Sequence, residues 1–131
     1  MHITLDAGVD APGTARHEMA GQRSRMRGRF EDALIVVTEL VTNSVLHGPP
    51  GGTIDLVTSV TERSVHIDVT DYGNCFQGLP PDGHGLQMVS AIATRWGVVR
   101  GSCLVWADLD FTASTADGDV ASLDMSHVRA E

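Results

Sequence analysis

Glu39-Leu40-Val41-Thr42-Asn43-Ser44-Val45-Leu46-His47-Gly48 closes a run that begins near Phe30, and its reading decides the fold. At about one hundred degrees per residue, Ala33, Leu34, Val37, Leu40, Val41, Ser44 and Val45 form one apolar stripe, so the run is an amphipathic helix facing a core. Glu39 falls opposite the stripe, and Asn43 and His47 drift toward its edge. The three are spaced i, i+4 and i+8, one turn apart, so they can act on one object. Ile35 and Val36 beside this polar line and Leu46 on its flank are unusual for a solvated face, which is normally charged throughout. The face is expected to be covered.

A carboxylate and a carboxamide aligned on a half-covered helix suit a metal-bound anion. The amide oxygen can ligate a hard cation, and the carboxylate can orient or deprotonate a nucleophile. A solvated helix face is the other reading of this stretch, and the rest of the chain has to decide between them.

At 131 residues the chain is expected to form one core, and its 42% hydrophobic content is that of a globular protein. A net charge of −8 argues against nonspecific binding to nucleic acid or acidic membranes, which would repel the surface before contact. Every cationic side chain is Arg, so a P-loop, which needs a lysine at the phosphates, is excluded. Two cysteines, Cys75 and Cys103, are too few for a disulfide framework or a four-ligand zinc site, and both are expected to be reduced. The first residues lack the pattern of a signal peptide and no stretch has the length of a membrane span, so a cytoplasmic location is expected.

Outward from the central helix, His2 to Val9 alternates as an edge strand, and Pro12 opens a helix at Thr14 to Met26 with Ala15, Met19, Ala20 and Met26 on its apolar side. Arg23, Arg25, Arg27 and Arg29 read as a solvated, basic helix end, with a phosphate or partner role as the alternative. The central helix runs from about Glu31 to His47 and stops at Gly48-Pro49-Pro50. Thr53 to Val60 and Ser64 to Asp71 alternate on either side of Thr61-Glu62-Arg63, an antiparallel hairpin. Tyr72 to Gly83 carries too much Gly and Pro for a regular element and reads as a mobile loop. Leu86 to Trp96 is helical and ends at Gly97. Val98 to Arg100 and Cys103 to Phe111 form a last hairpin around Gly101-Ser102. Residues 1–111 make the domain, and 112–131 a flexible tail. The predicted class is α/β (α+β): a two-layer sandwich with a mixed, mostly antiparallel sheet and helices on one face.

Two glycine-containing segments flank the loop. Asp71-Tyr72-Gly73 puts a carboxylate at a strand end beside a residue without a side chain, where a planar ligand with an exposed amino group fits. Gly83-His84-Gly85-Leu86 opens a helix whose free N–H groups face an anion. The order of carboxylate-and-amide helix, hairpin, Asp-x-Gly, loop and Gly-x-Gly-Leu helix resembles the ATP-binding domain of the GHKL superfamily. Within it, the chain is most similar to the single-domain anti-sigma-factor serine kinases of bacteria. Glu39 to Gly48 resembles the N box, Asp71 to Gly73 the first glycine box and Gly83 to Val89 the second. Arg95-Trp96-Gly97 and Val105 to Leu109 also look like this branch, and the likeness covers about residues 10 to 111.

The resemblance implies a histidine-kinase-like, Bergerat-type ATP-binding fold with ATP and Mg²⁺ as cofactors. It implies Glu39 as catalytic base, Asn43 as the Mg²⁺ ligand, Asp71 on the adenine amine, and Gly73 admitting the ring. It places Gly83, His84, Gly85 and Leu86 at the phosphates, with His47 also in the nucleotide site and Asn74 to Asp82 as the ATP lid. Three positions depart from the pattern: Cys75 replaces a second glycine, Leu46 a basic residue, and Leu104 a threonine. The implied partner is a sigma factor or an anti-sigma antagonist, in a possible homodimer, with neither nucleic acid nor membrane bound directly. The implied reaction is transfer of the ATP γ-phosphate to a Ser or Thr of a partner regulator. The alternative is a nucleotide-gated protein that sequesters a transcription regulator without phosphorylating it. A sensor histidine kinase would need a dimerisation helix with a phosphoacceptor His; His17-Glu18 is the only tempting pair, and nothing after it resembles that helix.

Overall fold

The computed structural model describes residues 1–48, 51–72, 84–99 and 103–111, with only the backbone of His84 and Gly85. In chain order these form β1 (His2–Asp6), α1 (Ala11–Met19), a 3₁₀ segment (Ala20–Arg25), α2 (Phe30–His47), β2 (Thr53–Val60), β3 (Ser64–Asp71), α3 (His84–Ile92), β4 (Arg95–Val98) and β5 (Leu104–Asp110). The strands make one sheet in the order β1-β2-β3-β5-β4. Every pairing among them is antiparallel, so the mixed sheet expected from the pattern is corrected to an antiparallel one.

Strict alternation builds the inner layer. Ile54, Leu56, Val65, Ile67, Val69, Val105, Ala107 and Leu109 all point to one face and are buried there. Against them lies the α2 stripe of Phe30, Ala33, Val36, Val37, Leu40 and Val41. Val36 is fully buried, so the polar line borders the core there, while Ile35 is half-buried and Leu46 is 70% exposed. Glu31 and Asp32 in the first turn of α2 complement its dipole.

Half-buried Arg29, just before α2, clips three elements together. Its guanidinium donates to Asp32 Oδ2 at 2.9 Å, to the carbonyl of Asp110 at 2.9 Å and to that of Ile92 at 3.1 Å.

Several boundaries differ from the sequence reading, and β1 ends at Asp6 rather than Val9. The first helix starts at Ala11, with Pro12 inside its first turn where a missing N–H costs nothing, and beyond Met19 it tightens to 3₁₀ geometry. Met26 is buried as expected, whereas Ala20 is exposed. α3 stops at Ile92, and the chain enters the sheet edge: Thr94 N–H donates to the Asp108 carbonyl, and Arg95 bonds the Asp108 and Asp110 carboxylates. Trp96 and Gly97, read as the end of a helix, are thus strand residues. A Cβ on Gly97 would lie 3.0 Å from the Trp106 indole, so the glycine makes room for that ring. The loop residues 73–83, the turn at Gly101-Ser102 and the tail 112–131 lie outside the described residues.

Cys103 is disulfide-bonded, which overturns the expectation of two reduced thiols. A count of two cysteines carries no information on whether folding gives a thiol a partner. The other cysteine, Cys75, lies outside the described residues.

Candidate nucleotide site

The C-terminal half of α2 carries the predicted polar line at one side of the core. Glu39 is half-buried, His47 is exposed, and Asn43 is only 7% exposed. The Asn43 Nδ2 is shielded from solvent and has no hydrogen-bond partner among the described residues. An amide donor in that state costs about 1–3 kcal/mol of lost solvation, which a ligand oxygen would recover. Ser44, beside it, is equally buried.

Asp71 ends β3 on the core side of the sheet, in register with Ile54, and is 7% exposed. Its N–H donates to the Cys103 carbonyl at 3.3 Å, which fixes the strand end against the approach to β5. Alternation places Asp71 on the same face as Val65, Ile67 and Val69, so the carboxylate faces the helix layer.

Gly48 joins the two halves. It caps α2, with its N–H donating to Ser44 O at 2.8 Å. A Cβ at this position would stand 3.5 Å from Asp71 Cγ and 3.6 Å from its Oδ1, and only 2.8 Å from the Ser44 carbonyl. The Ser44 carbonyl is what excludes a side chain here, and the last turn of α2 ends within ordinary van der Waals reach of the Asp71 carboxyl group. In the sequence Gly48 is a helix stop and the last residue of the stretch that resembles the N box, and neither reading placed it at Asp71.

α3 packs along α2, with Leu86 and Val89 buried in the shared core. The backbone of His84 and Gly85 forms its first turn. Gly73 and Gly83 lie outside the described residues, as does the proposed lid from Asn74 to Asp82. Of the predicted site residues, the structure thus gathers Glu39, Asn43 and His47 on one helix, with Asp71 against that helix's end.

Tyr72, next to Asp71, points to the opposite side of the sheet. Its hydroxyl donates to Asp55 Oδ2 at 2.5 Å, and Asp55 also accepts from Thr4 Oγ1 at 2.7 Å. The Tyr72 and Thr4 hydrogen bonds hold the Asp55 carboxyl below its ordinary range.

That outer face is polar. His66 stacks on Trp106 and lies between Asp108 Oδ1 at 2.5 Å and Asp68 Oδ1 at 2.8 Å. Hydrogen bonds to Asp108 and Asp68 raise its pKa to about 10, so the ring is an imidazolium at neutral pH. Among the described residues no group of three or more His, Cys, Asp or Glu is arranged to hold a metal, and no helix is long and apolar enough to cross a membrane.

Neither protein-family models nor curated proteins return a match to the chain.

Proposed function

We propose that the chain is an ATP-binding regulatory protein that transfers the γ-phosphate of ATP to a Ser or Thr of a partner regulator, as the resemblance to anti-sigma-factor kinases implies. The observation that carries this reading is the unpaired, shielded Asn43 Nδ2, one helical turn from Glu39 on the helix whose end touches Asp71. A purely structural helix face gains nothing from burying an amide donor without a partner.

In this reading the Asn43 carboxamide would hold Mg²⁺ through Oδ1, and its Nδ2 would donate to a phosphate or water oxygen, so both ends of the amide would be used. Mg²⁺ held there would supply positive charge against the phosphates. Glu39, half-buried on the same face, accepts the proton of the attacking hydroxyl. Asp71 accepts a hydrogen bond from the adenine 6-amino group, and the absence of a side chain at Gly48 keeps that corner open. The partner is a sigma factor or an antagonist of one.

Titration with Mg²⁺ and ATP or GTP tests the reading. ATP binds and GTP does not, because guanine presents a carbonyl where adenine presents an amine. Losing a hydrogen bond to a charged group costs about 1.5–3 kcal/mol, so Asp71→Ala weakens ATP binding roughly ten- to a hundredfold. Equal affinity for ATP and GTP would sink the assignment. One observation favours sequestration without transfer: Leu46 leaves an exposed apolar side chain beside His47, where a partner surface gains more than a phosphate does.

A further inference from the structure

The end of the sheet far from Asp71 gathers arginines that the nucleotide reading does not use. Arg23, Arg25 and Arg27 line the segment before α2, and all three are exposed. Arg25 Nη2 reaches the Val60 carbonyl at 3.3 Å, which sets this segment against the tip of the β2–β3 hairpin. Arg63, also exposed, sits in that tip, and its carbonyl accepts the Phe111 N–H at 2.7 Å. Val60 lies six residue steps along β2 from Ile54, the partner of Asp71, a span of about 20 Å at strand rise.

The chain has 17 carboxylates for nine arginines, more than enough to neutralise each one. The two half-buried arginines are so neutralised: Arg29 pairs with Asp32, and Arg95 with Asp108 and Asp110. The exposed arginines are not, whether Arg16 on α1, which bonds the Thr38 hydroxyl, or those at the tip. Arg23 meets Glu31 only at 3.8 Å, Arg25 touches a carbonyl alone, and Arg27 and Arg63 have no ion-pair partner among the described residues. Glu62 is the one acid in the hairpin turn beside them. Arg27 is also held at φ 46°, the left-handed region that side chains rarely adopt, ahead of Gly28 at 88°. A long cationic residue kept where glycine or asparagine would sit without strain fits a role for its side chain outside the fold.

We propose that Arg25, Arg27 and Arg63, with Arg23 at their rim, form a docking surface for an acidic segment of a partner protein, separate from the candidate nucleotide site. Charge complementarity carries the choice of occupant. A protein segment can place a few carboxylates on a few guanidiniums, which pair with them bidentately. A nucleic acid would bring a long polyanion against a chain whose net charge is −8.

The test uses the full chain and a fluorescein-labelled peptide of about ten glutamates, followed by anisotropy at low and at physiological salt. The peptide binds, more weakly as salt rises, and shifts backbone amide resonances of residues 23–27 and 61–64. Exposed ion pairs are individually weak, so the triple variant R25Q/R27Q/R63Q loses about five- to tenfold in affinity, while Arg16→Gln, on α1, changes it less than about twofold. The proposal is overturned by no binding, by equal binding of the triple variant, by the same loss in Arg16→Gln, or by resonance shifts elsewhere. Tighter binding of a single-stranded oligonucleotide of equal charge would make the surface a nucleic-acid site. If the peptide binds only after Asp117, Asp119 and Asp124 are changed to Asn, the chain's own tail is the occupant and the partner proposal fails.

Discussion

The Gly48 Cα stands against the Asp71 carboxyl group, so close that a methyl group there would lie 3.5 Å from Asp71 Cγ and 2.8 Å from the Ser44 carbonyl. The second distance is shorter than side-chain atoms tolerate, and the carbonyl belongs to backbone that cannot swing away. Gly48→Ala therefore has to move the last turn of α2, with His47, relative to Asp71. The expected outcome is a loss of about 1–3 kcal/mol of stability in urea and about tenfold in ATP affinity. Unchanged ATP binding would mean that this contact does not shape the site.

Asn43 and Glu39 are expected to separate by experiment. Asn43→Leu removes an unpaired buried donor, so the ligand-free protein gains or holds stability, within about 1 kcal/mol, while binding of Mg²⁺ with ATP is lost. Glu39→Ala leaves ATP affinity nearly intact but lowers phosphate transfer by about 10²–10⁴-fold. A protein that only sequesters its partner shows no transfer and no effect of Glu39→Ala beyond helix stability. Parallel thermal melts, nucleotide titrations and transfer assays with labelled ATP distinguish the two.

Stability is expected to fall on the alkaline side because of His66. Its pKa is about 10 in the fold against 6.5 as a free side chain, so the folded state binds the proton more tightly. The contribution is complete below pH 6.5 and is lost as pH rises toward 10. Because the side chain is 41% exposed, screening reduces the gain to about 1 kcal/mol. Urea midpoints between these limits should decline in the wild type and decline less in His66→Gln. Equal slopes would show that the imidazolium pairs contribute nothing.

Arg27→Gly is expected to stabilise the chain. At φ 46° the glycine relieves about 1 kcal/mol of left-handed strain, partly offset by its greater freedom when unfolded. A lower melting temperature would mean that the Arg27 side chain supports the fold itself.

Much of the architecture was legible in local pattern. Period-two alternation marked β2 and β3 with the observed limits, Thr53–Val60 and Ser64–Asp71, because one face of each strand is buried and a one-residue slip would expose it. The 3.6-residue stripe marked α2 to within a residue of its start, and the i, i+4 spacing put Glu39 and Asn43 on one helix face. Both signals survive in a single sequence because each element's own period fixes which side chains are buried.

Tertiary structure decided what depends on distant partners. Arg95 and Trp96 match helical periodicity but lie in β4, because Asp108 and Asp110 of β5 hold the guanidinium and Ala107 pairs with Trp96 across the ladder. Val36, placed by the helical wheel beside the polar line, is fully buried in a structure where α1 and α3 as well as the sheet pack against α2. That Asn43 loses water without gaining a partner, that Gly48 meets Asp71, and that Cys103 is disulfide-bonded all depend on chain segments far apart in sequence. Spacing along a chain reports which residues share a face, and only packing between elements reports which faces meet.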